Sequence, residues 1–323
     1  MSRALDAVAS GHIDAALGRA ASFLARRQLG NGEFELRVAN DRALKGPNRA
    51  DGSIFATVFI VIALRRLPYP WIEAHIERAR RFLIGQMRDP GIWKFWTTEN
   101  TAWGHVDYDV DDSVLASYVC RDRDLRLGLG RNVSTLLKNR DTTGVFKTWL
   151  RPAGRTNQID SVVNANAMLY FARRPDVTSP CCVYLREILL SDQELGGTPF
   201  YDHPLALYSA LARARAEGVA ELDTLVDLVT GKARASWAGA SIEPLHAALA
   251  GLTFVYFGQA REPVVADIVE HLLATQQVDG SWPAAGFCCG PEPPSPRSLW
   301  WGSTSLTTGF VVELLAGINK NPA

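Results

Sequence analysis

Four aspartates fall within six residues of this chain, at Asp107, Asp109, Asp111 and Asp112, in the run Val106-Asp107-Tyr108-Asp109-Val110-Asp111-Asp112-Ser113. An apolar segment of helical spacing, Val114 to Val119, follows at once. A helix start takes one acid well, as N-cap and as partner to the dipole, and four exceed that need. In an extended approach side chains alternate, so Asp107, Asp109 and Asp111 point to one side and Asp112 or Ser113 is left to cap. Carboxylates crowded in this way raise the pKa of at least one member, which keeps a carboxylic acid protonated near neutral pH. The chemistry this suits is proton donation inside a cavity.

Such an acid needs a rigid frame, and the surrounding chain is built from a repeat. A helical pattern from Ile13 to Arg27 stops at Gln28-Leu29-Gly30-Asn31-Gly32-Glu33-Phe34. A second helix spans Ile54 to Arg66, and a third, Trp71 to Gln86, stops in similar residues that close on Trp93. Further copies of this stop close on Phe146, Phe200, Trp237 (a degraded copy) and Trp282. The closing aromatics stand about 37 to 59 residues apart, a period that marks repeat architecture. Each stop is followed by a polar helix start: Asp51-Gly52-Ser53, Asp111-Asp112-Ser113, Ile159-Asp160-Ser161, Asp202-His203-Pro204, Glu243-Pro244 and Gly302-Ser303-Thr304.

Six helix pairs of this kind close into a double ring, with the more apolar helices inside and their N-termini opening at one end. No strand signal of comparable strength is present. The expectation is an all-α protein, a single (α/α)6 barrel domain over residues 1–323. Asp112 shares the cap position of Asp51, Asp160 and Asp202, whereas the repeat leaves Asp109 and Asp111 unexplained.

Composition narrows the partners. The chain has 323 residues, 47% hydrophobic and 21% charged, as expected of a soluble domain with a sizeable core. Lys+Arg and Asp+Glu are both 34, so no basic excess points to nucleic acid or to an acidic membrane surface. Five cysteines (Cys120, Cys181, Cys182, Cys288 and Cys289) make neither CxxC spacing nor an even disulfide framework, and they read as packed thiols in a reducing compartment. With Asp6 and Asp14 near the start, no secretory apolar region is expected, and the run Ile54 to Leu64 is too short to span a membrane. A cytoplasmic protein is expected. Nine tryptophans leave peripheral membrane contact for substrate uptake open.

Metal chemistry fits the acidic run poorly. A calcium loop needs Gly at its sixth place and Glu at its twelfth, where this chain has Asp112 and Tyr118. The Asp-x-Cys of a prenyltransferase zinc site is absent, as are the magnesium-binding DDxxD and a thioester Gly-Cys-Gly-Glu-Gln. Asp109-Val110-Asp111-Asp112 instead resembles the DxDD motif of class II terpene cyclases. The recurring Gln-x-x-x-Gly-x-(Trp/Phe) stops resemble the QW repeats of the squalene–hopene cyclase superfamily. The likeness covers nearly the whole chain. It departs in size, because those cyclases usually hold the site between two helical barrels and this chain has length for one. It is thus most similar to the single-domain class II cyclases of bacterial meroterpenoid pathways, whose substrate is a polyprenyl chain on an aromatic acid.

The resemblance implies a cyclisation started by protonating an alkene or epoxide, without metal or cofactor. Asp111 would be the general acid, Asp109 would accept a hydrogen bond or raise the pKa of Asp111, and Asp112 would hold the geometry. The conjugate carboxylate needs hydrogen-bond donors, with Asn157, Asn164, His203 and His246 as candidates. The carbocation needs aromatic faces, each worth about 2 kcal/mol when desolvated. Trp96, Trp103, Tyr201, Trp300 and Trp301 lie near helix starts, with the adjacent Trp300 and Trp301 hard to bury as core. Phe55, Phe59, Tyr170, Tyr208 and Phe254 lie on inner helices. An aromatic acid would pair with Arg49, Lys94 or Arg297. Two rivals stand beside this reading: a helical-barrel glycosidase or lyase pairing Asp111 with Glu243 or Asp160, and a non-catalytic ring that binds prenyl chains or lipids.

Overall fold

A computed structural model of the chain describes residues 2–121, 131–238 and 242–319, with side chains from residue 11 onward. Among these residues the chain forms twelve α-helices: α1 (Ser2–Arg27), α2 (Phe55–Leu64), α3 (Ile72–Gln86), α4 (Val110–Cys120), α5 (Asn132–Lys138), α6 (Ser161–Tyr170), α7 (Pro175–Leu190), α8 (Pro204–Ala216), α9 (Val226–Ala238), α10 (Pro244–Tyr256), α11 (Pro263–Thr275) and α12 (Thr304–Asn319). Every residue of α2 and of α4 is buried, as is nearly all of α10. A helix covered on all sides has no polar face to keep, which is why α2 reads as almost wholly apolar, and why the buried Asp111 and Asp112 of α4 stand out. By contrast, α3 buries one stripe, Ile72, Ile76, Ala79 and Leu83, at helical spacing.

The even-numbered helices touch in sequence, α2 to α4, α4 to α6, α6 to α8, α8 to α10 and α10 to α12, and α12 returns to α2. Five further helices pack on this circuit: α3 on α2 and α4, α7 on α6, α9 on α8 and α10, α11 on α10, and α1 on α12. Among the described residues no helix is long and apolar enough to cross a membrane.

The all-α expectation needs one correction. Four short strands, β1 (Arg37–Ala39), β2 (Asn48–Ala50), β3 (Cys288–Gly290) and β4 (Leu299–Gly302), form an antiparallel sheet in the order β2-β1-β4-β3. Val38 lies opposite Trp301 and Ala39 opposite Trp300. Strands of three or four residues are too short for alternation to register in the sequence. The β1–β4 pairing joins the loop before α2 to the loop before α12, and so fastens the two ends of the helix circuit together.

Four of the six repeated stops share a bonding plan, whereas the Phe200 N–H donates to Asp160 and Trp237 lies inside α9. The backbone N–H of the closing aromatic donates to a polar side chain on the following inner helix: Phe34 to Thr57 Oγ1 (2.9 Å), Trp93 to Ser113 Oγ (3.0 Å), Phe146 to Asn164 Oδ1 (2.9 Å) and Trp282 to Thr308 Oγ1 (3.2 Å). At two stops the opening glutamine ties the turn to a neighbouring helix. Gln28 Nε2 reaches the His75 carbonyl at 2.9 Å, and Gln276 Nε2 reaches that of Ala16 at 3.0 Å. The glycines are required where these turns press on that helix. Gly32 has φ 100° and Gly280 φ 94°, and a Cβ on either would run into a carbonyl oxygen, of Arg78 or Arg19.

The helix starts are less uniform than their alignment suggests. Asp160 caps α6, accepting from the Val162 and Val163 N–H groups. At α8 the capping group is the His203 ring, while Asp202 pairs with Arg42 at 2.7 Å. Asp51 caps nothing and accepts from the Trp96, Trp301 and Asn100 side chains.

Replacing Thr308 or Thr57 by valine keeps the shape and strands one buried N–H, of Trp282 or Phe34. Each change is expected to cost about 1–3 kcal/mol, read as a lower urea midpoint at constant slope. A midpoint equal to the wild type would show that these bonds do not hold the repeat together.

Candidate active site

The approach to α4 is pinned on both sides. The Asp109 N–H donates to the Trp93 carbonyl, the Val110 N–H to that of Thr148, and the Leu150 N–H to that of Tyr108. Held extended at φ −135° and ψ 165°, Asp109 turns Oδ1 back onto the Asp112 N–H at 2.8 Å. Asp109 is therefore the N-cap of α4, and the expected cap, Asp112, lies inside the first turn with Asp111. The expected one-sided alternation is lost as well, because the helix begins before Asp111. Asp107 points to the rim, where it pairs with Arg151 at 2.7 Å.

Three carboxyls are left inside, with Asp109 4% exposed, Asp111 7% and Asp112 3%. Their surroundings differ. Asp111 Oδ1 accepts from Asn166 Nδ2 at 2.8 Å, and its Oδ2 accepts from the Tyr201 hydroxyl. Asp109 Oδ2 and Asp112 Oδ1 are buried with no hydrogen-bond partner among the described residues.

Burial, ahead of mutual charge, is what raises these carboxyls. It pushes Asp109 to about 7, with the charge of Asp111 adding and the backbone bonds opposing. Asp112 goes well above the usual carboxylate range, through burial and then the charges of Asp109 and Asp111. Burial also raises Asp111, but the Tyr201 and Asn166 donors pull it back. Tyr201, buried and facing Asp111, is pushed far up, so its hydroxyl keeps its proton and remains a donor.

The carboxyls open on a cavity of about 310 Å³ lined largely by aromatic rings. Phe55, Trp96, Tyr201 and Trp301, all predicted from the sequence, are in its wall. Phe95, Trp149, Phe200, Cys288, Cys289 and Glu292 are there too and were not predicted as site residues. Phe59 stands one ring behind the wall, 5.1 Å from Phe55 and 5.4 Å from Phe287.

The other candidates lie outside the lining. Trp300 precedes Trp301 on β4, so it faces the opposite side and donates to Asp202 at 3.1 Å. Trp103 packs under the Lys94 ammonium at 4.0 Å. The Tyr170 hydroxyl donates to Asn132 and that of Tyr208 to Glu194. The Phe254 ring packs under Arg234 at 5.5 Å. His246 stacks on His203 at 4.2 Å, and burial lowers them to about 3 and about 4. Asn157 bonds to the Trp149 backbone.

Asn164 serves the repeat, accepting from the Phe146 N–H and donating to the Phe146 and Asp160 carbonyls. The residue that reaches Asp111 is Asn166, two positions on and about 200° around the helix. Its signal was a second asparagine in an otherwise apolar inner helix. The proposed carboxylate partners lie outside the lining as well. Arg49 is on the exposed β2, Lys94 donates to the Trp103 carbonyl, and Arg297 bonds Asp202 and the Thr198 carbonyl. All five cysteines are unpaired and buried, and burial raises the Cys288 thiol well up, so it is neutral.

No protein-family model and no curated protein matches this sequence. Solved structures do match. A variant of the type II terpene cyclase MstE from Scytonema, with its substrate geranylgeranyl dihydroxybenzoate, aligns over 97% of this chain and 99% of its own, at TM-score 0.71 and 14% identity. The fold is that of a type II terpene cyclase. A second MstE variant, with its product merosterolic acid A, gives TM-score 0.70 at 15% identity over 97% of this chain and 98% of that one. A protein from Actinoplanes aligns over 94% of this chain and 99% of its own at TM-score 0.71 and 14% identity.

The raised Asp109 has a stability consequence of definite sign. Its folded pKa of about 7 lies above the ordinary aspartate value of 3.8, so between those pH values the folded state holds more protons than the unfolded one. That contribution is complete below pH 4 and is lost as pH rises through 7. Asp109→Asn is therefore expected to flatten the fall in unfolding free energy between about pH 4 and pH 7, followed by urea titrations at a series of pH values. Parallel curves for the two proteins would contradict the assignment.

Proposed function

We propose that this chain is a class II terpene cyclase in which Asp111 protonates the terminal alkene of a polyprenyl chain carried on an aromatic head group. The observation that carries the reading is the environment of Asp111, the one carboxyl of the three with a neutral donor on each oxygen, in the wall of an aromatic cavity. The frame we propose is an (α/α)6 barrel in a single domain over residues 1–323, with even-numbered helices inside and odd-numbered helices outside.

The roles follow from electrostatics. Burial raises Asp111 above the usual carboxylate range and so favours its protonated form at rest. As the alkene π pair takes that proton, the O–H electrons stay on the carboxylate, whose oxygens already hold the Tyr201 and Asn166 donors. Donors fixed before the charge forms cost no reorganisation, so they favour the transition state over the ground state. Asp109 has a donor on Oδ1 alone, the Asp112 N–H, and Asp112 Oδ1 has none among the described residues, so of the three it is Asp111 whose new carboxylate is met by a side-chain donor on each oxygen. Asp109 positions it by capping α4. The carbocation formed by protonation is attacked by the next alkene, closing rings until a proton is lost. Phe55, Phe95, Trp96 and Trp301 offer π faces to these cations and keep water away. Because one proton enters and one leaves, the product is an isomer of the substrate.

The rivals fit less well. A glycosidase needs a second carboxyl across the cleft free to act as base or nucleophile, and Glu292, the further carboxyl in this wall, is gripped by Arg151 and Gln158. Asp160 spends its oxygens on the Val162, Val163 and Phe200 N–H groups, and Glu243 faces His246. A lipid-binding ring would have no use for two donors on a buried acid.

Incubating the purified protein with geranylgeranylated phenols, in the presence of EDTA, is expected to yield a product of unchanged mass by mass spectrometry. Asp111→Asn should abolish it while ligand binding persists. Tyr201→Phe should lower kcat by about 100-fold with little change in KM. Full turnover by Asp111→Asn would sink the proposal.

A further inference from the structure

Four acids, Asp109, Asp111, Asp112 and Glu292, line the cavity, and among the described residues no lysine or arginine does. One guanidinium next to that wall belongs to Arg151, which packs over the Trp149 ring at 4.9 Å. Its fork is already filled. Arg151 Nη1 and Nη2 grip the two Glu292 oxygens at 2.7 and 2.6 Å, Nε bonds Asp107 at 2.7 Å, and Nη1 also reaches the Thr156 carbonyl at 2.7 Å. Four of the five guanidinium protons are thereby spent on the chain itself. Gln158 Nε2 adds a further bond to Glu292 Oε1 at 2.9 Å.

We infer that Glu292 makes this cavity select a polyprenyl substrate with an uncharged head group and disfavour one that carries a carboxylate. The inference rests on the cyclase reading and specifies its substrate. Glu292 stands where a substrate carboxylate would pair with Arg151, as a bidentate partner supplied by the chain. A free carboxylate entering the cavity must displace Glu292 or lie beside it unpaired in an aromatic enclosure, and both are unfavourable. A phenol meets the opposite situation. Three of the roughly four acceptor positions on Glu292 are taken, and the remaining one accepts a hydroxyl proton. Arg151 holds the Glu292 carboxyl below its usual range, so that acceptor stays charged at neutral pH.

Two probes test this on the full chain at neutral pH: a geranylgeranyl hydroxybenzoic acid and the matching geranylgeranyl phenol without the carboxyl. Dissociation constants come from quenching of tryptophan fluorescence, and conversion is followed separately by mass spectrometry. The phenol is expected to bind about tenfold or more tightly than the acid, and Glu292→Gln is expected to narrow that ratio by strengthening acid binding. An acid that binds the unaltered chain as tightly as the phenol, or an acid affinity that Glu292→Gln leaves unchanged, overturns the inference. Failure to convert either ligand, whatever their order of affinity, counts against the cyclase reading instead.

Discussion

The structure depends on one recurring hydrogen bond, from the backbone N–H of a closing aromatic to a hydroxyl or amide oxygen on the next inner helix. Inner helices covered on every side have no amphipathic face to set their height or rotation. A polar atom that must be satisfied in a dry interior supplies that missing register. Thr57, Ser113, Asn164 and Thr308 play this part in four repeats. Ser113 follows Asp112 directly, so its bond to Trp93 also sets the position of the acidic turn.

The candidate acid is assembled from three successive repeats. α4 carries Asp111, α6 contributes Asn166, and the lead into α8 contributes Tyr201. Dryness does the main electrostatic work, since burial outranks charge crowding for all three carboxyls. What separates them is hydrogen bonding. Two donors on Asp111 favour its anion, while unpartnered oxygens on Asp109 and Asp112 favour their neutral forms. Three adjacent aspartates thereby come to differ in acidity.

Elsewhere the interior meets the same demand by pairing its charges. Arg213 and Glu313 face each other from α8 and α12 at 2.9 Å, and the Tyr256 hydroxyl donates to the same carboxylate at 2.5 Å. Arg213 also lies over Phe59, joining this group to the rings behind the cavity. At the rim, Arg151 and Gln158 hold Glu292 against the mouth, while the β1–β4 pairing carries Trp301 into the wall. Segments far apart in the chain meet there, so no local pattern announces them.

By itself the sequence determined the repeat, the helical character, and the acid cluster at the start of one apolar helix. These are readable because periodicity, turn glycines and like charges in adjacent positions are local properties. It also offered Trp96, Tyr201 and Trp301 beside helix starts and Phe55 on an apolar helix, and all four line the cavity. Only the tertiary structure decided that Asp109 is the cap, that Asn166 rather than Asn164 meets Asp111, and that Tyr201 acts through its hydroxyl. It likewise decided that Trp300 turns away while Trp301 turns in, and that Glu292 fills the Arg151 fork. Each of these depends on helix rotation, strand face or a partner more than thirty residues away. Such relations are set by packing and by the cost of leaving a buried polar atom unpaired, and a one-dimensional pattern does not contain them.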